Sequence, residues 1–411
     1  MTKGDKSMKK MLAILLLLCL CLPSVGLAET RTIGLIDEYE TTSFWKEHPD
    51  VKRRSINYNW RDGMDNVFLN TEGVDVLYCY TDNIDLERLI KSGMLADLSK
   101  SEPICKAVER MHPDVQKLIT DEEGHILALP LRLHTAAVYW MQDAWNEAGF
   151  TEADVPQSYT ELLDFLEAWI VRIQANPEKN LCVSRLHRSW NTAVEKDSYV
   201  VWLMTTLRCA WELQQRHAGK DVNYNDPEFI ALAERTITVG RALNAAEPKV
   251  KKRQDRLELF CSQLNGFYPI DDNGQDVSLS HTLPLRITSD QPALTRAYLD
   301  VCIVRKDTGV YDDVLKLLES YLDFNSQQPY LTYALYTDAQ PFAFVKDRRY
   351  GSYAITARWL EDFHSYTGTL MFCPFKSDNE SKAMDNFYLG QITAQELALR
   401  LNEFIGYTEP Y

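Results

Sequence analysis

The chain has 411 residues, a formal net charge of −15, 45% apolar residues and 25% charged ones. So acidic a surface repels nucleic acid and anionic lipid, which sets both aside as partners. The length is enough for two or three domains, each with a sizeable core.

The first element in chain order is an export signal. Lys3, Lys6, Lys9 and Lys10 precede an apolar run from Met11 to Leu22, and Pro23, Ser24 and Gly26-Leu27-Ala28 follow it. The run falls short of the roughly 20 residues that span a bilayer, so residues 1–28 are expected to be a cleaved signal peptide rather than an anchor. Cys19 and Cys21 each follow a leucine, where the signals of lipid-modified proteins have a small residue. Cleavage after Ala28 removes a net +3 from −15 and leaves −18 on an exported, periplasmic or extracellular chain. No later segment is long and apolar enough to span a membrane.

Thr32-Ile33-Gly34-Leu35-Ile36 reads as a strand, Thr42 to Glu47 as a short helix, Val51 to Tyr58 as a second strand, Asp62 to Asn70 as a helix and Val74 to Tyr80 as a third strand. Strand, helix, strand, helix, strand predicts a parallel sheet. Asp85 to Ser92 is a helix closed by Gly93, and Ile126 to Pro130 and Ala137 to Tyr139 are two further strands. From Met141 the pattern turns helical. Ser158-Tyr159-Thr160-Glu161 is a capping box, and Leu162, Phe165, Trp169, Ile170 and Ile173 share one face of the helix that follows. Helices are expected over 198–216 and 226–245, a turn at Asp271-Asp272-Asn273-Gly274 and a buried strand over 297–304. Val310, Val314, Leu317, Leu318 and Tyr321 then form the face of another helix. Thr393-Ala394-Gln395-Glu396 is a second capping box, with Ile392 placed to pack on Leu397.

Seven cysteines remain after the signal: Cys79, Cys105, Cys182, Cys209, Cys261, Cys302 and Cys373. The number is odd and the spacing wide, so no disulfide framework or zinc site can be read from them. Cys79 and Cys302, inside apolar runs, read as small core residues.

Four segments resemble the extracellular solute-binding proteins that serve ABC-type importers, in the branch that binds sugars and oligosaccharides. They are Gly73-Val74-Asp75-Val76-Leu77-Tyr78 with the helix Leu86 to Leu98 carrying Gly93 and Asp97; Gly124 to Pro130; Tyr139 to Phe150 with Val155-Pro156 and Ser158 to Leu162; and Tyr388 to Leu397. The resemblance implies two α/β lobes of the periplasmic-binding-protein fold, type II-like, joined by hinge strands. The lobes are placed at 29–137 plus 258–302 and at 138–257 plus 303–411. It also implies a receptor that catalyses nothing, closes over a solute and hands it to a membrane permease, as a monomer and without metal or cofactor.

Ligands in open α/β sheets sit beyond the carboxyl ends of strands. That rule selects Glu38 and Tyr39 after the first strand, Tyr80 and Asp82 after the third, and Arg132 and His134 after Pro130. Carboxylates accept hydroxyl hydrogen bonds, Arg donates them, and aromatic faces stack on sugar rings, so the set suits a polar, hydroxylated solute. The competing reading makes Tyr39 and Tyr80 partly buried packing residues and Asp82 the cap of the Asp85 helix. From the second lobe Trp190 is the expected stacking platform and Tyr268 a further contact, whereas Trp202 and Trp211, inside a helix, read as core. The basic stretch 249–256 reads as a solvated helix face or a docking patch. Two other readings compete: a secreted glycoside hydrolase using paired carboxylates, and a ligand-loaded sensor for a receptor kinase. Against the first, the chain holds no H-E-x-x-H, no G-x-S-x-G and no phosphate loop.

Overall fold

The computed structural model describes residues 31–40, 43–58, 64–179, 181–185, 198–246, 257–263, 280–283, 286–328, 332, 334–340, 342–347, 351–355, 370–372 and 378–405. The expected signal peptide, the Asp271 turn and the basic stretch 249–256 lie outside these residues.

The chain opens as read from its sequence, with β1 (Arg31–Ile36), α1 (Phe44–Glu47), β2 (Val51–Ser55), α2 (Met64–Asn70) and β3 (Val76–Tyr80). Both β2 and β3 pair parallel to β1. Helix α3 (Leu86–Lys91) starts at Asp85, whose carboxylate accepts the Arg88 amide at 3.0 Å, and beyond its end Gly93 takes φ 70°. That left-handed conformation costs glycine nothing. Helices α4 (Glu102–Glu109) and α5 (Pro113–Ile119) follow.

The largest departure from expectation is β4 (Leu129–Met141), one strand of 13 residues where two short strands were predicted. Its first part, to Ala136, pairs antiparallel with β8 (Thr295–Val304). From Ala137 it pairs with β6 (Leu257–Gln263) and β7 (Ser280–Leu283). Pro130 is accommodated at a register shift, where a missing amide donor costs no ladder bond. The sheet runs β2-β1-β3-β8-β4-β6-β5, with β5 at Leu181–Arg185 and with β11 (Leu370–Phe372) also on β8.

Helices α6 (Gln142–Glu147), α7 (Tyr159–Ala175), α8 (Ser198–His217) and α9 (Pro227–Ala246) form the long helical stretch. Ser158 Oγ accepts the Glu161 amide at 3.2 Å. Glu161 itself reaches the Gln157 amide at 2.7 Å, one residue earlier than a regular capping box. Replacing Ser158 with Ala is expected to cost about 1 kcal/mol in urea denaturation, through loss of that cap. Helix α10 (Tyr311–Ser326), the two-stranded β9 (Phe342–Asp347) and β10 (Gly351–Ile355), and helices α11 (Asp378–Tyr388) and α12 (Ala394–Ile405) complete the elements. The Thr393 box is complete, Glu396 Oε2 accepting the Thr393 amide at 2.7 Å and Thr393 Oγ1 the Glu396 amide at 3.2 Å. Among the described residues no helix is long and apolar enough to cross a membrane.

Two large cores divide the molecule. The first joins Ile33 to Leu133 with Ala297 to Leu335 and Leu370. The second joins Trp140 to Leu283 and Ile287 with Ala383 to Leu401, and it contains Trp202 and Trp211 as expected. This packing differs from the expected lobes in two places. Leu259, Phe260 and Leu283 belong to the second core because β6 and β7 pair with the far half of β4. Val314, Leu317, Leu318 and Tyr321 of α10 belong to the first, because the chain does not change lobes at residue 303 but only at β11. The chain therefore passes between the cores on three neighbouring strands: β4 near Ala136, the start of β8, and β11, paired parallel to β8 at Thr295 to Ala297.

Candidate functional site

The site is built on one row of the sheet. Tyr80, the last residue of β3, pairs with Asp300 of β8, which pairs with Arg132 of β4, and one step nearer the crossing Tyr298 pairs with His134. Residues directly opposite one another share a sheet face, and alternate residues of a strand do too. Tyr78, Tyr80, Tyr298, Asp300, Arg132 and His134 therefore gather on one side. Leu131 and Leu133, pointing the other way, are buried in the first core. Arg132 and His134 are thus strand residues rather than loop residues, a correction to the sequence reading.

Asp300 is the hub. It is 1% exposed, its Oδ2 accepts the Tyr78 hydroxyl at 3.0 Å, and His134 Nε2 lies 2.7 Å from its Oδ1. Arg132 Nε stands 3.9 Å from Oδ2, and Arg132 Nη2 stands 3.8 Å from Glu40. The same guanidinium lies 4.7 Å over the Tyr39 ring and donates from Nε to the Tyr39 hydroxyl at 2.8 Å. Tyr39 donates in turn to Asn325 Oδ1 at 2.6 Å, and Asn325 Nδ2 donates to the Leu131 carbonyl. Burial, and for Tyr78 also the Asp300 charge, pushes the phenols of Tyr39 and Tyr78 well above their usual range, so both remain proton donors. Burial works against the Arg132 proton, but the neighbouring Tyr39 and Asp300 oxygens outweigh it and the guanidinium stays charged.

The sequence-selected residues divide accordingly. Tyr39 is a buried member of the network, packed edge to face against Tyr78 and Tyr321. Both carboxylate oxygens of Glu38 are taken, Oε1 by the Trp45 indole at 2.7 Å and Oε2 by Arg53. The chain is turned toward them by Asp37, whose φ of 56° is left-handed, a conformation aspartate tolerates better than most side chains. Asp82 is half-buried, and the cap of α3 is Asp85, not Asp82. Tyr80 presents its ring to the open side, 41% exposed. It stands 6.1 Å from the His134 ring and 6.0 Å from Tyr298, which stacks on His134 at 4.7 Å and 11°. Trp190 and Tyr268 lie outside the described residues.

Sequence reasoning missed Asp300 and Tyr298. Its signal was the lone carboxylate in Leu299-Asp300-Val301-Cys302-Ile303-Val304, since an acid survives in a buried strand only where partners compensate it. Among the described residues Cys79, Cys105, Cys209 and Cys302 are free thiols, and burial raises the thiol pKa of Cys79 and Cys302. The two pack as core residues.

No protein-family model matches the chain, and no curated protein sequence matches it. Solved structures do. A binding protein of Bacillus subtilis, MsmE, in an open conformation, superposes with a TM-score of 0.61 at 11% identity, over 92% of this chain and 97% of that one. A sugar transporter of Bacillus licheniformis in complex with stachyose gives 0.58 at 12% identity, over 91% and 98%. An ABC substrate-binding protein of Listeria monocytogenes in complex with cycloalternan gives 0.52 at 12% identity, over 91% and 97%. Two cores, three crossing strands and near-complete coverage of these structures agree: the chain has the two-lobed periplasmic-binding-protein fold.

Proposed function

We propose that the protein is an exported receptor that captures a sugar or oligosaccharide between its lobes and delivers it, as a monomer, to a membrane ABC permease. The observation that carries this reading is the exposed Tyr80 ring beside the stacked His134 and Tyr298, on a floor whose charges are already paired. An aromatic platform flanked by fixed donors and acceptors fits the alternating apolar faces and hydroxyl edges of a sugar ring. Two acids of the site, Asp300 and Glu38, support carriage rather than hydrolysis. Asp300 is buried between Tyr78 and His134, and Glu38 is held by Trp45 and Arg53, so both position their neighbours instead of facing a glycosidic bond. The structures it superposes on include complexes with stachyose, raffinose and maltose, and those sugars head the trial set.

A ligand that touches both lobes binds the closed form better and shifts the population toward it by that difference in affinity. Screened by thermal shift, a panel of mono- and oligosaccharides should contain at least one member that raises the melting temperature and is recovered chemically unchanged. Turnover of that sugar, or silence across the panel, would refute the proposal. Tyr80→Ala should weaken the sugar by about 1–2 kcal/mol in titration calorimetry, with the unliganded melting temperature kept, because the ring is exposed and holds no core contact open.

A further inference from the structure

The hinge carries a feature beyond the Asp300 network. Arg296 follows Thr295 at the start of β8 and pairs with Ala136, the last residue of β4 before that strand leaves the first lobe for the second. It stands on the same sheet face as Tyr298 and Asp300, two and four residues on. Its guanidinium reaches the second lobe: Nη1 donates to the Sγ of Cys209 on α8 at 3.1 Å. Helix α8 belongs to the second core, so this contact joins the two lobes.

Cys209 does not act alone. With Leu213 one turn on, it forms a small separate core with Leu294, just before β8, and with Met371 on β11. Two of the crossing strands, β8 at its start and β11, thus meet one helix of the second lobe at this point. Gln214 Nε2 adds a bond to the Pro292 carbonyl at 2.8 Å. Between Cys209 and Leu213 stands Glu212, which binds Arg208 at 2.9 Å and also accepts from the Tyr224 hydroxyl. The carboxylate is buried, yet held below its usual pKa, and the Arg296 charge is one of the causes. A cation on the crossing strand therefore donates to a soft acceptor on α8, in surroundings where charge-assisted contacts are strong.

A rotation of one core against the other that moves α8 relative to the start of β8 changes the distance between Arg296 and Cys209. We propose that Arg296 is a latch on the hinge, holding the lobes in the arrangement described here through Cys209 and so setting how much of the population is free to change lobe separation when a ligand binds. This deepens the reading of the protein as a two-lobed receptor and rests on it, since a latch matters only where the lobes move.

The test needs no ligand. Donor and acceptor dyes are attached through unnatural amino acids at two exposed positions, Glu109 on α4 of the first lobe and Val171 on α7 of the second. Single-molecule energy transfer on the full chain then reports the distribution of lobe separations. Wild type should show one dominant separation. Arg296→Met, which keeps the stem and removes the charge, should shift the ratio of this separation to all others by about tenfold, the factor expected for losing a hydrogen bond to a charged group. Arg296→Lys should restore most of it. If Arg296→Met does not fold, Cys209→Ala, which removes only the sulfur, should move the ratio the same way by a smaller factor. An unchanged distribution in a folded Arg296→Met, or in Cys209→Ala, overturns the latch. A sugar panel without a single hit would sink the ligand reading and leave this measurement standing.

Discussion

Asp300→Asn should lower the unfolding free energy by about 3–5 kcal/mol and abolish sugar-dependent stabilisation. The substitution keeps the shape and removes the charge. Asn offers one carbonyl oxygen and one amide donor where the carboxylate offered two acceptors, while its partners, the Tyr78 hydroxyl and the His134 Nε2, both need an acceptor. To meet the amide, the His134 imidazole must change tautomer or the Tyr78 hydroxyl must turn to accept, and either change disturbs the network. Arg132 meanwhile loses its more deeply buried counter-charge, Asp300 at 3.9 Å, while Glu40 stays at 3.8 Å. Breaking a buried pair from one side costs far more than a surface pair is worth. Asp307→Asn supplies the contrast, since Asp307 is 63% exposed and pairs with Arg305 at the surface, so its loss should stay below about 1 kcal/mol. Urea denaturation followed by circular dichroism measures both. A loss under 1 kcal/mol for Asp300→Asn would mean that the network does not organise the site.

Much of this arrangement is visible in the sequence, and the rest is hidden for physical reasons. The strand and helix alternation from Thr32 to Tyr80, the Asp85 start and Gly93 stop of α3, and the buried face of α7 all follow from local patterns. Those patterns survive because tertiary packing agrees with them. The continuity of β4 was obscured by Pro130, Arg132 and His134, which read as the end of an apolar run. Leu129, Leu131 and Leu133 nevertheless alternate with them, the period-two mark of a strand with one face in a core and the other in a site. The expected exchange of lobes at residue 303 failed because β8 lies between β3 and β4, so α10 after it is still bound to the first core. Such non-local pairing leaves no trace in a local pattern. Asp300, Tyr298 and Arg296 are separated by about 160 residues or more from their partners on β4, and only the register of that pairing gives them a site.

Gly34→Ala should be at least as damaging as Asp300→Asn, and selectively so. Gly34 sits in the middle of β1, where an added methyl carbon would lie 1.8 Å from the Gly73 carbonyl oxygen. That atom belongs to backbone, so no rotamer change relieves the clash. Gly73 itself, at φ 72°, cannot take a side chain to move it elsewhere. Two further bonds fix the spacing: the Gly34 amide donates to Asp75 Oδ2 at 2.7 Å, and the Asp75 amide donates to the Gly34 carbonyl at 2.8 Å. Opening the strands enough to admit the methyl would break these and displace Ile36 and the Asp37 turn that presents Glu38 and Tyr39. The expected cost exceeds about 4 kcal/mol, in the range of severe core substitutions. It should also fall on one lobe. Among the described residues five tryptophans, Trp140, Trp145, Trp169, Trp202 and Trp211, lie in the second core, and Trp45 packs against the first. Near-ultraviolet dichroism therefore follows chiefly the second lobe, while far-ultraviolet dichroism follows both. In Gly34→Ala the far-ultraviolet signal should melt in two steps, the first with little change in the tryptophan bands. One coincident transition at both wavelengths would show instead that the three crossing strands bind the lobes into a single cooperative unit.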